Sequence, residues 1–244
     1  MSVLYLFRHG QAGTRENYDS LSDLGRQQAR ALGEDLARQG IRFDRVIAGG
    51  LQRQQETARE ACTALGSPTI ETDVGWNEFD LANVYAEMSP HLCAADAEFK
   101  RQFDEMQLAI AASRGEHQDP IHRRWNDCDR SVVMAWVEGR YPVAEGETWL
   151  AFEDRIHDAL ARLTAAMPEE GNVAVFSSAT PIGICAAQTF GLRDGRGLQF
   201  AAVMHNAAVT TLRVRSLRGG SKEIRLFAFN GVGHLGDPRL RTFR

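Results

Sequence analysis

Three short apolar segments constrain this chain more than any other feature. Val3 to Phe7, Asp44 to Ala48 and Asn172 to Phe176 are each about one strand long, and each stops abruptly in polar or glycine residues. Helical periodicity follows each of them. After the first, a polar loop leads to Ser22, an N-cap in front of Leu24, Gln28, Ala31, Leu32 and Leu36 on one stripe, with Gly40 closing that helix. After the second, Gly49-Gly50 opens a helix through Ala58, Ala61 and Leu65; after the third, Ser177-Ser178-Ala179-Thr180-Pro181 opens one containing Ile182 and Ile184. Parallel strands need crossover connections of this kind, and such sheets are covered on both faces. The expected fold is therefore α/β, a three-layer sandwich with a mostly parallel central sheet and helices on both faces. Ligands of such sheets bind beyond the carboxyl ends of the strands, where helix N-termini favour anions.

The pattern changes between about Leu81 and Tyr141, where Phe99, Phe103, Met106 and Ile110 stand at helical spacing, followed by Trp125, Val132, Val133 and Trp136. We read a helical insertion at about 81–141. Trp149, Phe152, Ile156, Leu160 and Leu163 then form a core-facing stripe. Val209 to Val214 and Glu223 to Phe229 alternate about Arg218-Gly219-Gly220-Ser221, which predicts a hairpin. No repeat or low-complexity linker divides the 244 residues, so the expectation is one domain, 1–244, carrying the insertion.

Composition removes several classes. With 43% hydrophobic and 25% charged residues, disordered, collagen-like and coiled-coil chains are excluded. No apolar run approaches the roughly 18 residues of a membrane span, and a strand at Val3 leaves no room for a secretory signal, so the expected location is cytoplasmic. Cys62, Cys93, Cys128 and Cys185 lack ligand spacing and are read as reduced, with no metal site. A net charge of -4 argues against nucleic-acid binding, and the arginine-rich stretch from Arg213 to Arg244 reads first as a solvated basic face, second as an anion contact.

Arg8-His9-Gly10-Gln11 stands where the first strand ends. An imidazole there has the chemistry to attack phosphorus, and an adjacent guanidinium matches the phosphoryl oxygens with a planar fork. The alternative is a histidine bonded to backbone beside a surface arginine. A second arginine, Arg53, begins the helix after the second strand, in Leu51-Gln52-Arg53-Gln54-Gln55-Glu56-Thr57-Ala58.

Taken with Leu21-Ser22-Asp23-Leu24-Gly25-Arg26-Gln27-Gln28-Ala29, these segments resemble, in order and spacing, the histidine phosphatase superfamily, also called phosphoglycerate-mutase-like. The resemblance covers residues 1 to about 80 and about 145 to 235. It implies that His9 is transiently phosphorylated while Arg8 and Arg53 neutralise the phosphoryl group, as in-line phosphoryl transfer requires. It implies a general acid at Glu78, in Gly75-Trp76-Asn77-Glu78-Phe79-Asp80, with a structural ion pair as the competing role and Asp80 as the fallback acid. Gln11 is either a further phosphate contact or a solvated amide.

One position departs from the pattern. A second histidine normally follows the third strand, in a pattern like Ser-His-Gly-Gly, whereas here Ser178 takes its place in Ser177-Ser178-Ala179-Thr180. The resemblance implies a subgroup with serine at this position. Losing one preorganised donor costs on the order of 10²-fold to 10³-fold in rate unless something substitutes. His205 is a candidate substitute, with a capping or surface role as the alternative; His234 is expected to anchor the C-terminal segment, and His91, His117, His122 and His157 to be exposed.

The expected activity is thus metal-independent and cofactor-free hydrolysis of a small phosphomonoester, possessing reduced turnover if Ser178 is not compensated. A mutase is disfavoured, since Ala12-Gly13-Thr14-Arg15-Glu16-Asn17 replaces the Trp-Asn segment of mutases. The alternative is a non-catalytic phosphate-ligand or partner-binding protein. Substrate identity and oligomeric state are not encoded in any motif.

Overall fold

The computed structural model describes residues 1–13, 18–112 and 126–243. Trp125, His117, His122 and most of the segment that replaces the mutase Trp-Asn lie outside them. By internal contacts the chain forms two compact units, one built from Met1–Gly13, Asn17–Glu78 and Arg155–Arg244, the other from Phe79–Asp154.

The first unit is α/β. Its strands are β1 (Ser2–Arg8), β2 (Arg45–Ala48), β3 (Ile70–Thr72), β4 (Gly171–Ser177), β5 (Val209–Ser216) and β6 (Lys222–Gly231), in the order β3-β2-β4-β1-β5-β6. The first four of that order are mutually parallel; β5 and β6 form the expected antiparallel hairpin at one edge. β3 went unread because Ile70-Glu71-Thr72 is too short to show a period.

The helices of this unit are α1 (Asp23–Arg38), α2 (Gln52–Thr63), α7 (Ala179–Gln188), α8 (Gly197–Ala202) and the end of α6 (Trp149–Ala166). Helices cover both faces of the sheet. Phe7, Val46, Ala48, Ala174 and Phe176 pack with Leu32 and Leu36 of α1 and Ala58, Ala61 and Cys62 of α2. The alternate residues Leu4, Leu6, Ile47, Val173 and Val175 are as fully buried on the opposite face, as period-two strands demand. Ser22 caps α1 by accepting from the Gly25 N–H at 3.0 Å, as its sequence position suggested.

His157 corrects a sequence expectation. It is buried on a flank outside the apolar stripe of α6, with Nδ1 2.6 Å from Oε1 of Gln188 in α7. His91, in the other unit, is exposed and stacks on Tyr141.

The second unit is helical: α3 (Leu81–Ala95), α4 (Ala97–Ala112), α5 (Asp127–Val137) and the first turns of α6. Phe79, Trp136, Trp149 and Phe152 form an aromatic cluster, and Tyr85 donates to Asp129 at 2.6 Å. It extends past the 141 boundary inferred from sequence to Asp154. Among the described residues no helix is long and apolar enough to cross a membrane.

Two glycines bring α1 against the loop that follows β1. A Cβ on Gly10 would stand 2.4 Å from the Gly25 carbonyl oxygen, and one on Gly25 would stand 2.2 Å from the Gln11 carbonyl oxygen. Only backbone fits there. Gly25→Ala is therefore expected to lower stability by about 1–3 kcal/mol through overpacking. Gly40→Ala, at φ +69 with open space around it, should cost less, about 1 kcal/mol. Chemical denaturation of the two variants checks the order; an equal or smaller loss for Gly25→Ala would refute the close-approach argument.

Candidate active site

β1, β2 and β4 are parallel neighbours, so their carboxyl ends present Arg8-His9, Gly49-Gly50 and Ser177-Ser178 along one edge of the sheet. The His9 backbone is clamped from both sides: its N–H donates to the Ser177 carbonyl at 2.9 Å, and its carbonyl accepts from the Ala207 N–H at 3.1 Å. His9 is 4% exposed.

The ring has one defined tautomer. Nδ1 lies 2.7 Å from the Gly10 carbonyl oxygen, which can only accept, so Nδ1 carries the proton. Nε2 then presents its lone pair, and Arg53 Nε donates to it at 3.3 Å. Burial, reinforced by the charges of Arg53 and Arg8, holds the imidazole well below its ordinary pKa, against a smaller upward pull from the Gly10 carbonyl. His9 is consequently uncharged at neutral pH with a nucleophilic nitrogen facing a guanidinium.

Both guanidiniums are buried. Arg8, the last residue of β1, donates through Nη1 to the Met204 carbonyl. Arg53, in the first turn of α2, donates through Nη1 to Asp19 Oδ1 at 2.7 Å, and its guanidinium lies over the Tyr18 ring. The Thr57 hydroxyl accepts from the Gly10 N–H and donates to the Arg53 carbonyl, tying α2 to the turn after His9.

Ser178 occupies the N-cap position of α7, yet its side chain makes no capping bond. Glu78 supplies one instead, accepting from the Thr180 N–H at 3.1 Å. Ser178 Oγ accepts from Gln54 Nε2 at 2.8 Å, and both residues are buried. The Trp76 carbonyl accepts from Gln54 and from Ser177 Oγ, while Arg155 Nη1 reaches the carbonyls of Val74, Gly75 and Asn77. These bonds fix the short 3-10 turn Val74–Trp76 that leads into Glu78.

The remaining candidates stand elsewhere. Gln11 Oε1 accepts from Ser22 Oγ at 2.9 Å, at the N-terminus of α1. His205 packs its ring on Phe243, with Nδ1 3.4 Å from Asn230 Oδ1, and the His234 ring bonds to the Ala207 backbone. Asp80 caps α3, accepting from the Ala82 and Asn83 N–H groups. Among the described residues no group of three or more His, Cys, Asp or Glu side chains is disposed to hold a metal ion.

Sequence reasoning missed Asp19, Gln54 and Asn206. Gln54 carried a signal, a wholly polar side chain at a position facing the sheet between Arg53 and Thr57. Asn206, fully buried, donates from Nδ2 to the His9 carbonyl at 3.5 Å and accepts from the Thr242 hydroxyl, a pairing over a separation no local pattern reveals.

The family model described as histidine phosphatase superfamily (branch 1) matches residues 4–136 and 129–226. The mitochondrial serine/threonine-protein phosphatase Pgam5 of Drosophila grimshawi is 43% identical over 58 residues, 22% of this chain and 20% of that protein. A 2,3-bisphosphoglycerate-dependent phosphoglycerate mutase of Methylobacterium sp. (strain 4-46) is 36% identical over 93 residues, 34% of this chain and 44% of the mutase. The matches thus span less than half the length of these curated relatives. A mycobacterial glucosyl-3-phosphoglycerate phosphatase, solved with inorganic phosphate, aligns over 95% of this chain and 98% of its own at a TM-score of 0.60 and 21% identity, a likeness of fold.

The His9 environment has a consequence for stability. In the unfolded chain a histidine takes up a proton below about pH 6.5, whereas folded His9 resists protonation. The folded state therefore loses stability as pH falls from about 6.5 toward the depressed folded value, at up to about 1.4 kcal/mol per pH unit from this group. Denaturant titrations of ligand-free protein at pH 7 and pH 5 should show a smaller loss for His9→Asn than for the wild type. Equal losses would contradict a suppressed His9 pKa.

Proposed function

Because the chain belongs to the histidine phosphatase superfamily, branch 1, we propose that it is a phosphomonoester hydrolase working through a phosphohistidine at His9. The observation that carries this reading is the His9 ring itself: Nδ1 is tied to the Gly10 carbonyl and Nε2 turns an unprotonated lone pair toward Arg53. Nε2 attacks phosphorus in line, the P–N bond forms as the ester P–O bond breaks, and Glu78 gives its proton to the leaving alkoxide. Glu78 then takes a proton from water as that water displaces His9, releasing phosphate. Arg8 and Arg53 neutralise the equatorial oxygens, with Gln11 as a further contact for the bound ester. Neither metal nor cofactor enters this scheme. The substrate class is a small phosphorylated metabolite, a reading supported by the fold-level likeness to a glucosyl-3-phosphoglycerate phosphatase.

Ser178 acts as the hydrogen-bond donor where relatives carry a second histidine. Gln54 occupies one lone pair of its oxygen, and Glu78 caps α7 in its stead, so the hydroxyl proton is available to a phosphoryl oxygen. A second reading, a phosphate-binding protein with lapsed turnover, draws on the replacement of that histidine and on the engagement of Arg53 by Asp19.

His9→Ala is expected to abolish hydrolysis of p-nitrophenyl phosphate, and Glu78→Gln to slow alkyl phosphates far more than this aryl ester, whose leaving group needs no proton. Rapid quench with radioactive phosphoester should trap label on His9; turnover in purified His9→Ala, or a stable unlabelled protein, would favour the binding reading.

At residue 178, an imidazole must displace the Gln54 amide from a site 1% exposed, and overpacking of that kind costs about 1–3 kcal/mol. Ser178→His is accordingly expected not to raise turnover and Ser178→Ala to lower it. A tenfold or greater gain in Ser178→His would establish simple loss of a histidine rather than a site rebuilt around serine.

A further inference from the structure

We infer that Asp19 is a positioning residue for Arg53, one that aims the guanidinium at the His9 nucleophile and partly offsets its charge until a phosphoryl group arrives. The inference rests on the phosphohistidine reading above. Asp19 uses both carboxylate oxygens: Oδ1 accepts from Arg53 Nη1 at 2.7 Å and Oδ2 from the Gln52 N–H, at the start of α2, at 3.0 Å. The carboxylate is thus fixed against the helix that carries Arg53, and the fork of the guanidinium is fixed against the carboxylate. Tyr18, the preceding residue, places its ring 5.2 Å beneath the same guanidinium. Side chain and ring leave the group little rotational freedom.

The orientation is the useful part. With Nη1 held by Asp19 and Nε directed at His9 Nε2, the remaining nitrogen, Nη2, has no protein hydrogen bond among the described residues. A phosphoryl group arriving at His9 Nε2 meets Nε and Nη2 as one edge of a preformed fork. Arginine is well suited to this, since a planar fork fixed at one corner is fixed everywhere. The Arg53 side chain is 9% exposed, whereas Asp19 is 47% exposed, so the arginine is enclosed and the aspartate reaches it from the solvent side. A carboxylate so placed also repels an incoming phosphate. Its presence therefore weakens ground-state anion binding while it sharpens the geometry of transfer. Those two effects separate in kinetics: misaiming a transition-state contact lowers kcat, and removing a like charge strengthens binding.

The test compares Asp19→Ala, Asp19→Asn and Gln52→Pro with the wild type. The last of these deletes the backbone donor to Asp19 at a first-turn position where proline is tolerated, leaving the pair with Arg53 in place. Steady-state kcat and KM are measured with p-nitrophenyl phosphate, affinity for inorganic phosphate by calorimetry, and folding by thermal melts. Asp19→Ala is expected to lose tenfold or more in kcat while binding phosphate threefold or more tightly. Asp19→Asn, which keeps an acceptor for Nη1, should recover most of the lost kcat, and Gln52→Pro, which loosens the carboxylate but keeps its pair with Arg53, should lose clearly less kcat than Asp19→Ala. A kcat for Asp19→Ala within threefold of wild type overturns the inference. So does weakened phosphate binding in that variant, or a kcat loss in Gln52→Pro matching that of Asp19→Ala, either of which would make Asp19 a loop anchor only. If the wild type shows no turnover that depends on His9, it is the hydrolase reading that fails. Asp19 is then judged on phosphate affinity alone, tighter binding in Asp19→Ala supporting its engagement of Arg53 and unchanged or weaker binding refuting it.

Discussion

A neutral imidazole buried between two guanidiniums is the arrangement on which the rest of this site depends. Burial alone disfavours a charged histidine, and two nearby positive charges disfavour it further, so the ring stays unprotonated while positive charge gathers beside it. On the proposed reading, this keeps a nucleophile ready beside two guanidiniums that favour an anion. On that reading too, an incoming phosphoryl group brings negative charge to Arg8 and Arg53 without needing the imidazole to change its state beforehand. Until then Arg53 is satisfied in part by Asp19 and its own contact to His9.

Backbone geometry makes that burial attainable. His9 sits one residue past β1, and the ladder to β4 continues through its N–H to Ser177, while the segment leading into β5 holds its carbonyl. Gly10 and Gly25 then allow α1 to close over the turn at backbone contact. Substituting either glycine would push the turn away from α1, moving the Gly10 carbonyl that fixes the tautomer of His9. The glycine of the Arg-His-Gly segment is thus a steric requirement and an electronic one at once.

At the N-terminus of α7 a division of labour replaces the ordinary cap. A serine in that position usually accepts from the first-turn N–H groups. Here Glu78 accepts from Thr180 and Ser178 accepts from Gln54, so a buried amide on α2 orients the hydroxyl. Thr180, in that first turn of α7, is itself buried.

The strand ends and the helices behind them were legible in the sequence, because period-two and period-3.6 patterns report burial on one face and Gly25, Gly40 and Ser22 report where the chain turns. The same patterns placed Arg8, His9, Arg53 and Ser178 along one sheet edge. Local sequence could not say which way a polar side chain would point. Gln11 and Gln54 are equally polar, yet one turns to Ser22 and the other to Ser178, since only the packing of α1 and α2 decides which hydrogen-bond partner lies within 3 Å. His157 was misjudged for the same reason, its partner Gln188 lying on α7 rather than on its own helix. Asp19 and Asn206 show the limit most plainly. Their partners Arg53 and His9 lie 34 and 197 residues away, and hydrogen bonds over such separations exist only after the sheet has brought its strand ends together. Sequence determined the elements and the chemistry available at their ends; tertiary structure decided which groups meet, because proximity across a sheet edge depends on strand order, which no local period encodes.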